Sequence, residues 1–325
     1  MLLSFRNLLV IFFTPSLVYI FGDDLDKYRN ERCLVIVNHQ STADVPLLVT
    51  LFSVKRPGVS STLWILDSMF KWTNFGLISQ IHGDFFIRES TNDGRYSTDQ
   101  LRKHLENKYW SRDRRWIVLF PEGGFLYKRR TKSQLFALKN NYPVLENVTL
   151  PRIGAAKAIL DVCAKQSKRR EFSNDHVLNA LFLKDICVPH LLFRSDPRPP
   201  LTYLIDLTLG YSAGMPLSLF NIISCSQRHS RIELHCRVHP ISEIQFEQDA
   251  DLLHYMYDRW VQKEELLTQF YEKGSFAEVS HEAGTELKIN VFDVVLSQLV
   301  IFTVPMIYFL ILKHLYITVQ KVLLF

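Results

Sequence analysis

Residues 33–44 read CLVIVNHQSTAD, and the order of residue types in that stretch decides the fold. The run CLVIV is an apolar strand pattern, rich in β-branched residues. Polar Asn38-His39-Gln40-Ser41-Thr42 follows it, and then an apolar stretch with Pro46 near its start. Proline is accepted in a first helical turn and not beyond it. The unit is therefore strand, loop, helix. On one regular helix, a His and an Asp five positions apart would point about 140° away from each other. The two can meet only if His39 lies in the loop and Asp44 at or just inside the helix start. That puts an imidazole and a carboxylate together at the end of a strand, where open α/β sheets bind ligands.

Outward from this unit, short β-rich runs alternate with helical stretches. Strands are expected at Cys33–Val37, Gln80–Ile87, Arg115–Phe120, Val144–Leu150, Thr202–Leu209 and Arg231–Ile241. Helices are expected at Val45–Val54, Leu63–Phe75, Ser97–Trp110, Ser133–Asn140, Ile153–Cys163 and Asp249–Tyr271. This alternation predicts an α/β fold, a mixed sheet layered by helices. The stretch 166–200 breaks the rhythm with Lys168-Arg169-Arg170 and then Pro197, Pro199 and Pro200, and reads as a surface insertion.

The chain has 325 residues, enough for one large domain or two modest ones. Its net charge of +5 is too small for the concentrated basic face of a nucleic-acid binder, and suits an anionic membrane surface better. Five scattered cysteines without a CxxC pair argue against a disulfide scaffold and a zinc site. The 47% hydrophobic content is concentrated at the two ends. From Val291 to Leu312 only Asp293 is charged, so a transmembrane helix is expected there, with a re-entrant hairpin as the alternative. Lys313, His314 and Tyr316 follow as interfacial anchors. Residues 1–22 are apolar but lack a small-residue cleavage site, and read as an uncleaved anchor or interfacial helix. The expected organisation is an anchor at 1–22, an α/β domain at 23–280 and a transmembrane region at 281–325.

Three further stretches carry candidate chemistry. Gly83-Asp84-Phe85-Phe86-Ile87-Arg88 ends in a guanidinium able to meet a phosphate. Phe120-Pro121-Glu122-Gly123-Gly124 runs into a glycine turn that lets backbone approach a ligand, and Glu122 is placed to hydrogen-bond a glycerol hydroxyl. Thr149-Leu150-Pro151-Arg152 is a strand stopped by proline. Taken singly, each also fits an ordinary cap, strand end or turn.

In order and spacing, NHQSTAD, GDFFIR, FPEGG and TLPR resemble the four motifs of the glycerolipid (lysophosphatidic-acid-type) acyltransferase family. The likeness covers roughly residues 33–152. KWTNFG at 71–76, KHLEN at 103–107, and 270–276 extend it toward a lysophosphatidylglycerol-acylating branch. The stretch ahead of His39 is shorter than that branch usually carries. The resemblance implies an enzyme that moves a fatty acyl group from acyl-CoA to a lysophospholipid hydroxyl, with lysophosphatidylglycerol or a relative as acceptor. It implies His39 as general base, Asp44 as its orienting partner, and Asn38, Gly83, Arg88, Glu122, Gly123 and Pro151 as substrate-binding residues. It also implies a bilayer partner at the endoplasmic reticulum membrane. No metal or cofactor is expected, acyl-CoA being a co-substrate, and no nucleic acid.

Direct attack by the acceptor hydroxyl is the expected reaction. A covalent route would need Cys33, inside the apolar strand, or Ser41, which lacks a GxSxG elbow. A monoacylglycerol acceptor, or a lipid-binding protein without turnover, is the alternative. The sequon Asn147-Val148-Thr149 lies beside the fourth motif and is expected to stay unmodified. The basic clusters 112–115 and 128–132 read as solvated faces, or as holders of headgroup or CoA phosphates if they flank the site.

Overall fold

A computed structural model of the chain describes residues 17–54, 59–88, 94–165, 198–211, 231–281 and 283–288, with residues 214, 216, 310, 313 and 314. In chain order its main elements are β1 (Leu17–Gly22), β2 (Cys33–Val37), α1 (Asp44–Val54), β3 (Thr62–Asp67) and α2 (Asn74–His82). Next come β4 (Phe85–Ile87), α3 (Gly94–Lys108), β5 (Trp116–Leu119), α4 (Leu126–Lys139) and α5 (Ile153–Cys163). β6 (Tyr203–Tyr211), β7 (Arg231–Pro240), α6 (Asp249–Lys273), α7 (Phe276–Ser280) and β8 (Thr285–Glu286) complete them.

All five residues of β2 are buried, and alternate side chains enter different cores. Leu34 and Ile36 join Ile117 of β5 and Leu204 of β6 against α3, α5 and α6. Cys33, Val35 and Val37 join Val118, Ile205 and Leu207 against α1. A strand covered on both faces has no polar alternation to show, which is why CLVIV is a continuous apolar run. Each fully buried Leu or Ile in such a layer contributes about 1.5–3 kcal/mol. The eight-stranded sheet has the order β4-β3-β5-β2-β6-β7-β1-β8. Its first five strands are mutually parallel, β7 is antiparallel to β6, β1 is parallel to β7, and β8 is antiparallel to β1. This is the expected mixed sheet layered by helices.

On α6, Leu252, Met256, Trp260, Lys263, Leu267 and Phe270 recur at three- and four-residue steps and form its buried stripe. Lys263 survives there by pairing with Asp206 of β6 and donating to the Leu207 carbonyl at 2.6 Å. Gly274 closes the helix in the left-handed conformation.

Several expectations need correction. Leu63–Phe75, read as a helix, begins as β3, because its apolar run is buried between two neighbours and carries no period. Gln80–Ile87, read as a strand, is the end of α2, a left-handed Gly83 (φ 89°) and the three residues of β4. Val144–Leu150 forms no strand: residues 146–148 bend, and the stretch has no place in the sheet. The backbone N–H groups of Asn147 and Val148 donate to Glu264, that of Thr149 to Glu122, and that of Leu150 to Ser133 Oγ. Side-chain oxygens take the donors that a ladder would have used.

The end of the expected N-terminal anchor, residues 17–22, is instead β1, an interior strand whose Val18 and Phe21 are buried in the two cores. Residues 1–16 lie outside the described residues, as do 166–197 of the expected insertion and nearly all of the expected transmembrane helix Val291–Leu312. No helix among the described residues is long and apolar enough to cross a membrane.

Candidate active site

β2 ends at Val37, and α1 begins at Asp44. His39 occupies the connecting loop, with its Nδ1 2.8 Å from Asp44 Oδ2. That oxygen also accepts the backbone N–H groups of Gln40 (2.8 Å) and Ser41 (2.9 Å). Asp44 Oδ1 accepts the hydroxyl of Tyr211, the last residue of β6. A carboxylate so surrounded by donors acts as an acceptor toward His39. The network therefore assigns the ring proton to Nδ1 and leaves Nε2 as the basic atom. Asp44 is fully buried, whereas the His39 side chain is 12% exposed. Phe120 stacks on the imidazole at 4.2 Å and Phe125 tilts against it at 4.4 Å. Nε2 carries no hydrogen bond among the described residues.

Glu122 acts beneath this pair rather than beside a substrate. Its Oε1 accepts the His39 backbone N–H at 3.1 Å and Trp260 Nε1 at 3.4 Å. Its Oε2 accepts the N–H and hydroxyl of Thr149, at 3.1 and 2.9 Å. Burial pushes the Glu122 carboxyl up to about 7, against the downward pull of these donors. The expected contact with a glycerol hydroxyl is thus corrected. Both oxygens are committed to protein, and the residue ties three segments together around His39.

The other expected binding residues divide. Asn38 is fully buried, its amide donating to the Leu209 carbonyl at 3.0 Å and accepting the Leu209 N–H at 2.8 Å. It clasps the end of β2 to β6 and faces no solvent. Gly83 precedes β4, on the side of the sheet away from His39, and its carbonyl accepts His104 Nε2 at 2.9 Å. Its role is a helix cap, where a positive φ favours glycine.

Arg88 is different. Ile87 pairs with Asp67, Trp64 with Val118, and Ile36 with Leu119, so Arg88 leaves β4 at the same edge as His39. Three strand spacings separate them, roughly 14 Å. Its side chain is exposed. Gly123 (φ 67°) is exposed in the turn after β5, and Pro121 O accepts the Arg152 N–H at 2.8 Å, bringing Pro151 to the same edge.

Cys33 is fully buried in β2, and burial pushes its thiol up. That is an inert environment. Asn147 Nδ2 donates to Glu264 and Thr268 of α6, so the sequon nitrogen is already engaged. Among the described residues no group of three or more His, Cys, Asp or Glu side chains is placed to hold a metal ion.

Sequence reasoning missed Tyr211, Trp260 and Tyr271, whose hydroxyl donates to Gln40 Oε1 at 3.1 Å. They lie well over a hundred residues beyond the loop they support. Their local patterns are those of an ordinary strand and helix.

Residues 22–153 match the family model described as Acyltransferase, and residues 221–297 the one described as Acyltransferase C-terminus. Acyl-CoA:lysophosphatidylglycerol acyltransferase 1 of Homo sapiens is 41% identical over 259 residues, covering 78% of this chain and 65% of that protein. Its Mus musculus counterpart is 40% identical over 260 residues, with the same coverage. This chain thus spans 65% of the length of these relatives. Lysophosphatidylinositol acyltransferase 10 of Caenorhabditis elegans is 25% identical over 260 residues, covering 78% of this chain and 56% of that protein. The crystal structure of the 1-acyl-sn-glycerophosphate acyltransferase PlsC from Thermotoga maritima overlays with a TM-score of 0.39 at 10% identity, covering 79% and 74% of the two chains.

Proposed function

This chain belongs to the acyltransferase family, and from that premise we propose that it moves a fatty acyl group from acyl-CoA to a hydroxyl of lysophosphatidylglycerol or a related lysophospholipid. The observation that carries the reading is the His39–Asp44 pair, with one ring nitrogen held and the other open at the sheet edge. Two of the relatives named above act, by their names, on lysophosphatidylglycerol, which favours that acceptor.

In the proposed reaction, His39 Nε2 takes the proton of the acceptor hydroxyl as its oxygen attacks the thioester carbonyl. Asp44 holds the ring and balances the charge that His39 gains. The tetrahedral intermediate collapses, the carbon–sulfur bond breaks, and the CoA thiolate leaves, recovering the proton from His39. Base catalysis supplies about 10²–10⁴-fold, and positioning supplies much of the rest. Arg88, at the same edge, supports a reading in which its guanidinium meets the acceptor phosphate. The glycine turn at Gly123 and the adjoining Pro151 are the proposed contact for acyl-CoA. Location at the endoplasmic reticulum membrane belongs to the same proposal, supported by the apolar ends of the sequence.

The test is an assay of labelled acyl-CoA with a panel of lysolipids, monoacylglycerol included. We expect acylation of a lysophospholipid by the wild type and its loss, by at least about 10²-fold, in His39→Ala. Equal incorporation by the variant sinks the mechanism. Wild-type lipid binding without turnover favours the silent binder instead.

A further inference from the structure

α4 packs weakly on the body, Ala137 being its one buried residue. Apolar side chains point away from the protein along it: Tyr127 is 66% exposed, Leu135 63%, Phe136 50% and Leu138 65%. Lys128, Lys132, Leu135 and Lys139 follow at steps of three and four and share one stripe. From Glu122 to Glu146 no acidic residue intervenes, while Lys128, Arg129, Arg130, Lys132 and Lys139 are all basic. A helix whose outward face mixes large apolar groups with cations, and no anions, matches the interface of an anionic bilayer. There the apolar groups enter the acyl boundary, and the lysine stems reach up to the headgroups.

The position of the helix agrees. Phe125, its N-cap, tilts against the His39 ring, and the Leu126 N–H donates to the His39 carbonyl at 2.8 Å. The turn after β3 leaves the sheet at the same edge, with Trp72 78% exposed and Met69 62% exposed. A membrane under this face lies next to the open imidazole nitrogen, where a lysolipid would arrive from the lipid phase.

We propose that the outward face of α4 is the surface by which this protein lies on an anionic lipid bilayer. The inference deepens the membrane partner proposed above and rests on that reading. It assigns the contact to one helix, distinct from the apolar ends of the chain.

The experiment places an environment-sensitive dye on the full chain at Leu138→Cys, with identically treated wild type as blank. Vesicles of phosphatidylcholine are compared with vesicles also containing phosphatidylglycerol. We expect a blue shift on the anionic vesicles that weakens with salt. Adding Lys132→Gln and Lys139→Gln should cut the vesicle affinity read by that shift by roughly 30-fold, at about one kcal/mol per cation. Co-flotation with vesicles and no shift at position 138 overturns the assignment to α4 while leaving the membrane partner standing. No flotation on either vesicle overturns both. A shift that grows with protein concentration without vesicles means that a second copy covers the face, and also overturns it.

Discussion

Two His–Asp pairs flank this one sheet, and only one leaves its second ring nitrogen open. His82 Nδ1 lies 2.9 Å from Asp84 Oδ1, much as His39 lies against Asp44. In both pairs backbone N–H groups orient the carboxylate, from Trp64 in the first and from Gln40 and Ser41 in the second. The second ring nitrogen separates them. His82 Nε2 accepts Arg114 Nη1 at 2.7 Å, and both side chains of that pair are buried. Arg114 also donates to the carbonyls of Ser60 and His82, so the cluster braces the end of α2 against the entry to β5. A His–Asp contact is thus a common structural device. It becomes a base only where the far nitrogen is left open.

Asp44→Asn breaks the pair proposed to carry the reaction and should have the largest effect. An amide there turns an N–H₂ group toward existing donors and no longer fixes the His39 tautomer. Turnover should fall by about 10²–10⁴-fold with the fold intact, as steady-state kinetics and circular dichroism would show. Tyr211→Phe sharpens the comparison, because it removes one donor from Asp44 and leaves the pair standing. A hydrogen bond to a charged group contributes about 1.5 kcal/mol or more, so roughly a tenfold loss of kcat is expected. A lower melting temperature with an unchanged kcat would reduce Tyr211 to packing. His82→Phe should have the smallest effect on rate. It strands Asp84 and Arg114, at a cost of about 1–3 kcal/mol in urea unfolding, while turnover per folded molecule stays within about twofold. Lost turnover at full stability would erase the distinction between the pairs.

The loop pairing of His39 and Asp44 was legible because three local facts converge: an apolar strand, a proline that marks the first helical turn, and a spacing that forbids one helix. α5 was legible to the residue, since Pro151 precedes it and its apolar positions are periodic. β3 was not, because a strand covered on both sides shows the same unbroken apolar run as a buried helix. GDFFIR looked like one binding element and is two. Gly83 caps α2, Asp84 belongs to the brace, and Arg88 alone reaches the edge. The inward turn of Glu122 was hidden for another reason. Its partners Thr149 and Trp260 lie 27 and 138 residues away, and no local pattern records contacts at such range.

Glu122 also sets a timetable. A ribosome delivers the chain from its N-terminus, so all four motifs have been made once Arg152 has emerged. At that moment Asp44 lacks the Tyr211 hydroxyl, and Glu122 lacks the Trp260 indole. The nascent protein carries the whole signature of its family before the parts that hold His39 in place exist. Those supports come only with a strand and a helix made after the last of the motifs.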